Sequence, residues 1–209
     1  MKKKIILILI TFSNLICFSQ NEHKILFGLK FSIDNNLSSK YLTTDGNING
    51  YSNIVYNEFN FTSGIIAEYS VSSKLNILSG ILYSKKDFIG TYNCATCDII
   101  YPFPGYSPEL IKQRFLEIPI LLKYFLINDR FNLSFVSGLN NGFVVENDLK
   151  NNRYVLNGVI GLEIGYEFIE KWNIQLGTDY RKSLTHFYND KNYNFKLNGL
   201  YFKILHKLE

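Results

Sequence analysis

No stretch of the 209-residue chain holds the roughly 20 consecutive apolar residues that a membrane-spanning helix needs, which excludes a bundle of such helices. Proline is scarce, at 4 residues, while aromatic residues make up 16% of the chain, too much apolar material for a disordered segment. Histidine is scarcer still. His23, His186 and His206 stand far apart in sequence and give no spacing for a zinc site, which usually takes four ligands. A Gly-x-Ser-x-Gly elbow, a phosphate-binding loop and paired-metal spacing are all missing, so the commonest signatures of hydrolases and nucleotide enzymes are excluded. The chain also lacks an excess of charge of one sign. Its formal net charge is +4, and removing Lys2, Lys3 and Lys4 with the leader argued below leaves 19 basic against 18 acidic residues, with no footprint for nucleic acid.

Residues 1–20 read as an export address. Lys2, Lys3 and Lys4 form a basic start, Ile5 to Phe18 an apolar stretch too short to span, and Cys17 and Ser19 fill the small-residue places before a cut at Gln20. Acylation at Cys17 is the competing reading, but it wants a small residue just before the cysteine and Ile16 is large. The expectation is therefore a signal peptide over 1–19 and one domain over 20–209. After cleavage the two remaining cysteines, Cys94 and Cys97, meet an oxidising compartment.

Beyond the leader, apolar residues recur at every second position, the period of a strand with one apolar face. Ile25, Phe27, Leu29, Phe31 and Ile33 oppose Leu26, Gly28, Lys30 and Ser32, and Phe59, Phe61, Ile65, Ala67 and Tyr69 oppose Glu58, Asn60, Thr62, Gly64 and Glu68. The longest run, Tyr154 to Phe168, sets Ile160, Leu162, Ile164 and Tyr166 against Asn157, Gly161, Glu163, Gly165 and Glu167. Trp172, Ile174, Leu176 and Tyr180 alternate with Asn173, Gln175, Gly177, Asp179 and Arg181. With less regular strands near 75–84, 113–126, 131–143 and 195–208, the expected total is eight. Their connections alternate between hairpin-sized turns, at 71–74, 128–130 and 169–171, and longer loops, at 34–57, 85–112, 144–152 and 187–194. That asymmetry marks an all-β, eight-stranded, antiparallel up-and-down transmembrane barrel with short periplasmic turns and longer outer loops.

Alternation alone does not say which face is inside, since a soluble calycin-like barrel would turn the same apolar face inward. The polar face is poor in charge for a water-exposed surface. The apolar face ends, near the short turns, in Tyr69, Tyr124, Phe131, Phe168 and Trp172, an aromatic belt suited to a bilayer interface. Both features favour lipid outside.

The stretches Arg114-Phe-Leu-Glu-Ile-Pro-Ile-Leu-Leu-Lys-Tyr124, Lys74-Leu-Asn-Ile-Leu-Ser-Gly-Ile-Leu-Tyr83 and Gly158-Val-Ile-Gly-Leu-Glu-Ile-Gly-Tyr-Glu-Phe168 resemble the outer-membrane β-barrel domain of PorT-like proteins. The resemblance covers essentially the whole mature chain. It implies an outer-membrane barrel, with some members tied to a secretion and gliding machine. Such barrels commonly finish on an aromatic residue, whereas this chain finishes His206-Lys-Leu-Glu209.

On this assignment Lys30, Lys123, Arg181 and Lys203 share the lumen with Glu68, Glu117, Glu163, Glu167 and Asp179. Eight strands enclose only enough space for side chains, so these charges must pair. An ion-pair plug is the expectation and a narrow ion path the alternative, with Gly161, Gly165 and Gly177 making room for long side chains. Cys94 and Cys97 share an outer loop with downstream prolines that deny the helix a redox-active pair needs, and are expected to form a local disulfide. Asp179, Ser183 and His186 fail as a triad on one strand, because His186 faces opposite to the others. The functional expectation is a monomeric barrel without catalysis or cofactor, with structural, binding or envelope-assembly work. Its partners would be outer-membrane lipid and an envelope or secretion-machinery protein. A small pore and a lipid-modifying enzyme are the alternatives.

Overall fold

The computed structural model describes residues 25–43, 50–93, 107–149, 153–185 and 195–208, and these are strands and their connections with no helix among them. The leader, Cys94, Cys97 and His186 lie outside the described residues. In chain order the strands are β1 (Ile25–Asn36), β2 (Leu42–Thr43), β3 (Gly50–Val55), β4 (Phe61–Ser72), β5 (Leu75–Lys85) and β6 (Phe88–Asn93). They continue as β7 (Glu109–Ile111), β8 (Gln113–Asn128), β9 (Phe131–Asn147), β10 (Tyr154–Ile169), β11 (Trp172–Ser183) and β12 (Lys196–Leu208).

Eight of them, in the order β1-β12-β11-β10-β9-β8-β5-β4, close into a barrel, every pair antiparallel. Each barrel strand neighbours the next one along the chain, and β1 closes the circle on β12 in unbroken register from Ile25↔Leu208 to Asn36↔Leu197. A closed sheet leaves no unpaired edge. The eight expected strands are the eight barrel strands. The three turns between β4 and β5, β8 and β9, and β10 and β11 are two residues each, and a register shift sits beside each of them, at Ser70/Ser72, Phe125/Ile127 and Glu167/Ile169. Such bulges sharpen the local twist where a strand has to turn back.

Burial is inverted relative to a water-soluble core. Leu29, Ile81, Ile120, Ile160 and Leu162, all on the alternating apolar faces, are exposed to half their surface or more, while Lys123, Glu163 and Lys203 inside are at most 1% exposed. Among the described residues the outer wall carries charge at its two ends: Lys85, Arg114 with its partner Glu146, Lys182 and Lys196 toward the loops, and Arg130, whose guanidinium lies 5.4 Å over the outward Tyr166 ring, at the turns. Between these ends the described wall holds no Lys, Arg, Asp or Glu, and the His206 ring packs 4.7 Å from Trp172.

The long connections depart from the expectation of open loops. Residues 34–57 and 85–112 contribute β2, β3, β6 and β7, which pair in that order as a second, four-stranded sheet. These strands run two to six residues, too short for alternation to show, and their central pairing joins segments about forty residues apart, from Gly50↔Asn93 to Val55↔Ile89. Leu42, Tyr51, Ile54, Phe88 and Ile111 of this sheet bury together with Phe115, Val155 and Leu197 of the barrel and Phe195 just before β12. The small sheet is thus an apolar lid on the loop end of the lumen.

Candidate functional site: the charged lumen, its lid and its aromatic rims

Below the lid the lumen is filled by two tiers of charge. The tier nearer the turns is a ring of four. Lys123 Nζ reaches Glu68 Oε2 at 3.1 Å and closes on Glu163, and Lys203 Nζ reaches Glu68 Oε1 at 3.0 Å and likewise closes on Glu163. Each carboxylate therefore touches both lysines, and each lysine both carboxylates. The ring members come from β4, β8, β10 and β12, every second strand around the barrel, which is how alternation brings side chains to one level of a closed sheet. The Tyr201 hydroxyl donates to Glu163 Oε2 at 3.1 Å, and the Lys30 ammonium lies 4.2 Å over the Tyr201 ring, linking this tier to the one above.

The upper tier centres on Arg181. Its Nε donates to Asp179 Oδ1 at 2.8 Å, its Nη2 to Asp34 Oδ1 at 3.1 Å, and its Nη1 stands 3.8 Å from Glu117 Oε2. Lys30 Nζ pairs with Asp179 at 3.3 Å, and Lys86 pairs closely with Asp34, which also accepts from the Ser32 hydroxyl at 2.7 Å and from Thr62. Burial draws the Lys86 ammonium, which lies beyond the end of β5, below its ordinary value, and the Asp34 carboxylate works in the opposite sense. Asn140 donates to Glu117 Oε2 at 2.7 Å. Within the two tiers Lys30, Lys86, Lys123, Arg181 and Lys203 balance Asp34, Glu68, Glu117, Glu163 and Asp179, so the tiers are electrically neutral as well as paired, while Asp87, a sixth buried acid outside them, lies 3.4 Å from Lys85 and 3.9 Å from Arg114. Neutrality matters because an unpaired enclosed charge costs several kcal/mol, about 3–5 where one partner of a buried pair is removed.

The nine charges expected in the lumen divide eight to one. Lys30, Glu68, Glu117, Lys123, Glu163, Asp179, Arg181 and Lys203 are buried, whereas Glu167 is exposed. Glu167 has the inward parity, but it lies where the β10 register shifts beside the turn, so its carboxylate stands at the mouth rather than in a tier. Asp34, Lys86 and Asp87 are buried charges that strand parity did not flag, because they lie in the connections expected to be loops. Asp87 accepts from the Gln113 amide at 2.9 Å and anchors the lid to the barrel wall. The room made by Gly177 and Gly165 is taken by Tyr201 and Asn132 rather than by long charged chains, and a Cβ on Gly177 would fall 2.5 Å from the Tyr201 ring. The arginine owes its space to Gly199, where a Cβ would meet Arg181 Nη2 at 2.8 Å.

Tyr69, Tyr124, Phe131, Phe168 and Trp172 all stand exposed on the outer wall at the turn end. A second aromatic row, not anticipated, encircles part of the loop end. Phe61 packs against Phe31 and Tyr83 at 6.2 Å each and against Phe59 at 5.9 Å, and Phe143 packs against Tyr154 at 5.4 Å. On β4 the two rows are marked by Phe61 and Tyr69, eight residues apart, roughly 26 Å along a strand and roughly 20 Å along the axis of a barrel tilted by about 40°. That height is close to the apolar band of about 25 Å in transmembrane barrels.

No protein-family model matches the chain, and no curated protein matches it. Solved structures do. Neisserial surface protein A (NspA) superposes with a TM-score of 0.54 at 11% identity, covering 90% of this chain and 100% of that one. The outer membrane protein OprG from Pseudomonas aeruginosa superposes with a TM-score of 0.51 at 13% identity, covering 88% of this chain and 93% of that one. At such identities the likeness is one of fold: a closed eight-stranded antiparallel barrel of the outer-membrane kind.

Proposed function

We propose that this chain is an exported outer-membrane barrel that works through its surfaces, in a structural, binding or envelope-assembly role, and neither conducts nor catalyses. The single observation that carries the reading is the combination of an apolar outer wall between two aromatic rows with a lumen filled by a neutral, mutually paired set of charges under an apolar lid. Such a wall needs lipid around it, and such a filling leaves no water-filled path. The two-residue turns at one end and the longer connections at the other support an orientation with the loops outward and the turns in the periplasm. The resemblance to PorT-like barrels supports an assembly role with a protein of the envelope or a secretion machine as partner.

In planar bilayers the purified mature protein is expected to give no channel steps, and stable ohmic steps would make it a pore. After cell fractionation the chain, starting at Gln20, should require detergent for release from the outer membrane and migrate faster on gels when unboiled. Recovery as a soluble periplasmic monomer would overturn the location. Cys94 and Cys97 are expected to be disulfide-bonded to each other, since they are the only thiols left after cleavage before Gln20. Alkylation without reductant should leave both unmodified by intact mass, and their joint replacement by serine should leave heat-modifiable folding unchanged, because so small a ring adds little chain entropy to the barrel.

A further inference from the structure

The turn end of the lumen stays open as a cavity of about 520 Å³, and a second hollow, of about 420 Å³, lies on the outer wall near the loop end, where β11, β12 and β1 run side by side. We infer that this outer hollow and the lysine pair above it bind one phosphorylated glycolipid of the outer leaflet. The inference deepens the proposed surface role and rests on the reading that lipid surrounds this wall.

The wall beside the hollow changes character row by row toward the loops. Register sets Ile33 of β1 beside Leu200 of β12, and Leu200 beside Thr178 of β11. The next outward row is Asn35, Asn198 and Tyr180, and the row above it sets Lys196 directly opposite Lys182. Apolar, amide and ammonium groups thus follow one another, with the lysines roughly 10 Å further along the barrel axis than Leu200. Acyl chain, sugar and phosphate follow in the same order along a phosphorylated glycolipid. Like charges directly opposite in a sheet repel, and neither Lys182 nor Lys196 has an acidic partner among the described residues. On the far side of the barrel the cations are compensated: Arg114 reaches Glu146 at 2.6 Å, and Lys85 lies 3.4 Å from Asp87. A phosphomonoester carries about −1.5 to −2 charges at neutral pH, enough to neutralise both ammoniums at once. The hollow beneath supplies the rest. Asn35, Asn198 and Thr178 offer hydrogen bonds to a sugar, the exposed Phe59 ring offers it a flat apolar face, and Ile33 and Leu200 meet the chains. Glu58, which borders the hollow across β1 from the lysines, is an acceptor for sugar hydroxyls. A phosphodiester lipid without a sugar brings a single charge and leaves the amides unused, so it fits less well.

The test is native mass spectrometry of the full mature chain released from detergent micelles. The probes are monophosphoryl lipid A, its dephosphorylated form, phosphatidylglycerol and soluble glucosamine 6-phosphate. Monophosphoryl lipid A should add saturably as one copy per barrel, and the other three should bind at least about tenfold more weakly, the effect of losing hydrogen bonds to a charged group. Lys182→Gln combined with Lys196→Gln should weaken the phosphorylated lipid by a similar factor, whereas Lys85→Gln, on the compensated side, should leave it unchanged. Asn198→Leu should also weaken it, and carries the test if the double variant does not fold. Heat-modifiable migration separates the two levels of the reading: a parent chain that never shows it refutes the membrane barrel itself, while a heat-modifiable barrel without lipid selectivity refutes the site alone. Equal binding of the dephosphorylated lipid or of phosphatidylglycerol overturns the inference. So does equal binding of the sugar phosphate, or an affinity unmoved by these substitutions.

Discussion

Replacing Glu163 by Gln should lower the stability of the barrel by about 3–5 kcal/mol, read as a lower urea midpoint for unfolding from lipid vesicles. Glu163 touches both lysines of the lower ring and accepts from Tyr201, and all three neighbours are buried. Without its charge, Lys123 and Lys203 share Glu68 alone, and one ammonium is left enclosed without a counter-ion. A variant in which Glu68, Lys123, Glu163 and Lys203 are all replaced by Met should lie closer to the parent than the single substitution, because removing a whole buried ion set costs less than breaking one. If Glu163→Gln left the midpoint unchanged, the ring would have to be solvated, and the closed-lumen reading would fail with it.

The second large effect belongs to the opposite face of the same strand. Ile164→Arg, one residue along β10 and pointing outward, should cost about 2–4 kcal/mol when the barrel is folded into a bilayer, the range for a cation near the midplane. Ile164→Ala at the same site should cost much less, since its methyl groups face lipid rather than a packed core. The pair separates two environments that share one geometry. In a barrel surrounded by water, arginine at a 47% exposed position would be neutral. A silent Ile164→Arg in vesicles would therefore place water, not lipid, against this wall.

Most of the barrel was legible because a strand writes its two faces into alternate residues. Each long run from Ile25 to Ile33 and from Tyr154 to Phe168 carried its own evidence, independent of any partner, and hairpin-sized turns near 71–74, 128–130 and 169–171 marked where one run ended and the next began. The same parity placed Lys30, Lys123, Arg181 and Lys203 together with Glu68, Glu117, Glu163 and Asp179 on the inner face. It failed at Glu167, because a bulge beside a turn keeps the parity while moving the residue out of the lumen.

Parity says which face a charge occupies but not which charge it meets. That Glu68, Lys123, Glu163 and Lys203 share one level depends on the stagger between strands around a closed sheet, which is a property of closure and appears in no single segment. The lid was equally hidden. Its strands are short and pair across the chain, so only the folded barrel, by bringing residues 50–55 beside 88–93, gives Leu42, Ile54 and Phe88 a surface to bury. The sequence by itself determined the number of barrel strands, the turns and the two faces, since those are local and periodic. The tertiary structure alone decided which charges pair, which end is roofed and which end stays open, since those depend on contacts between segments far apart in the chain.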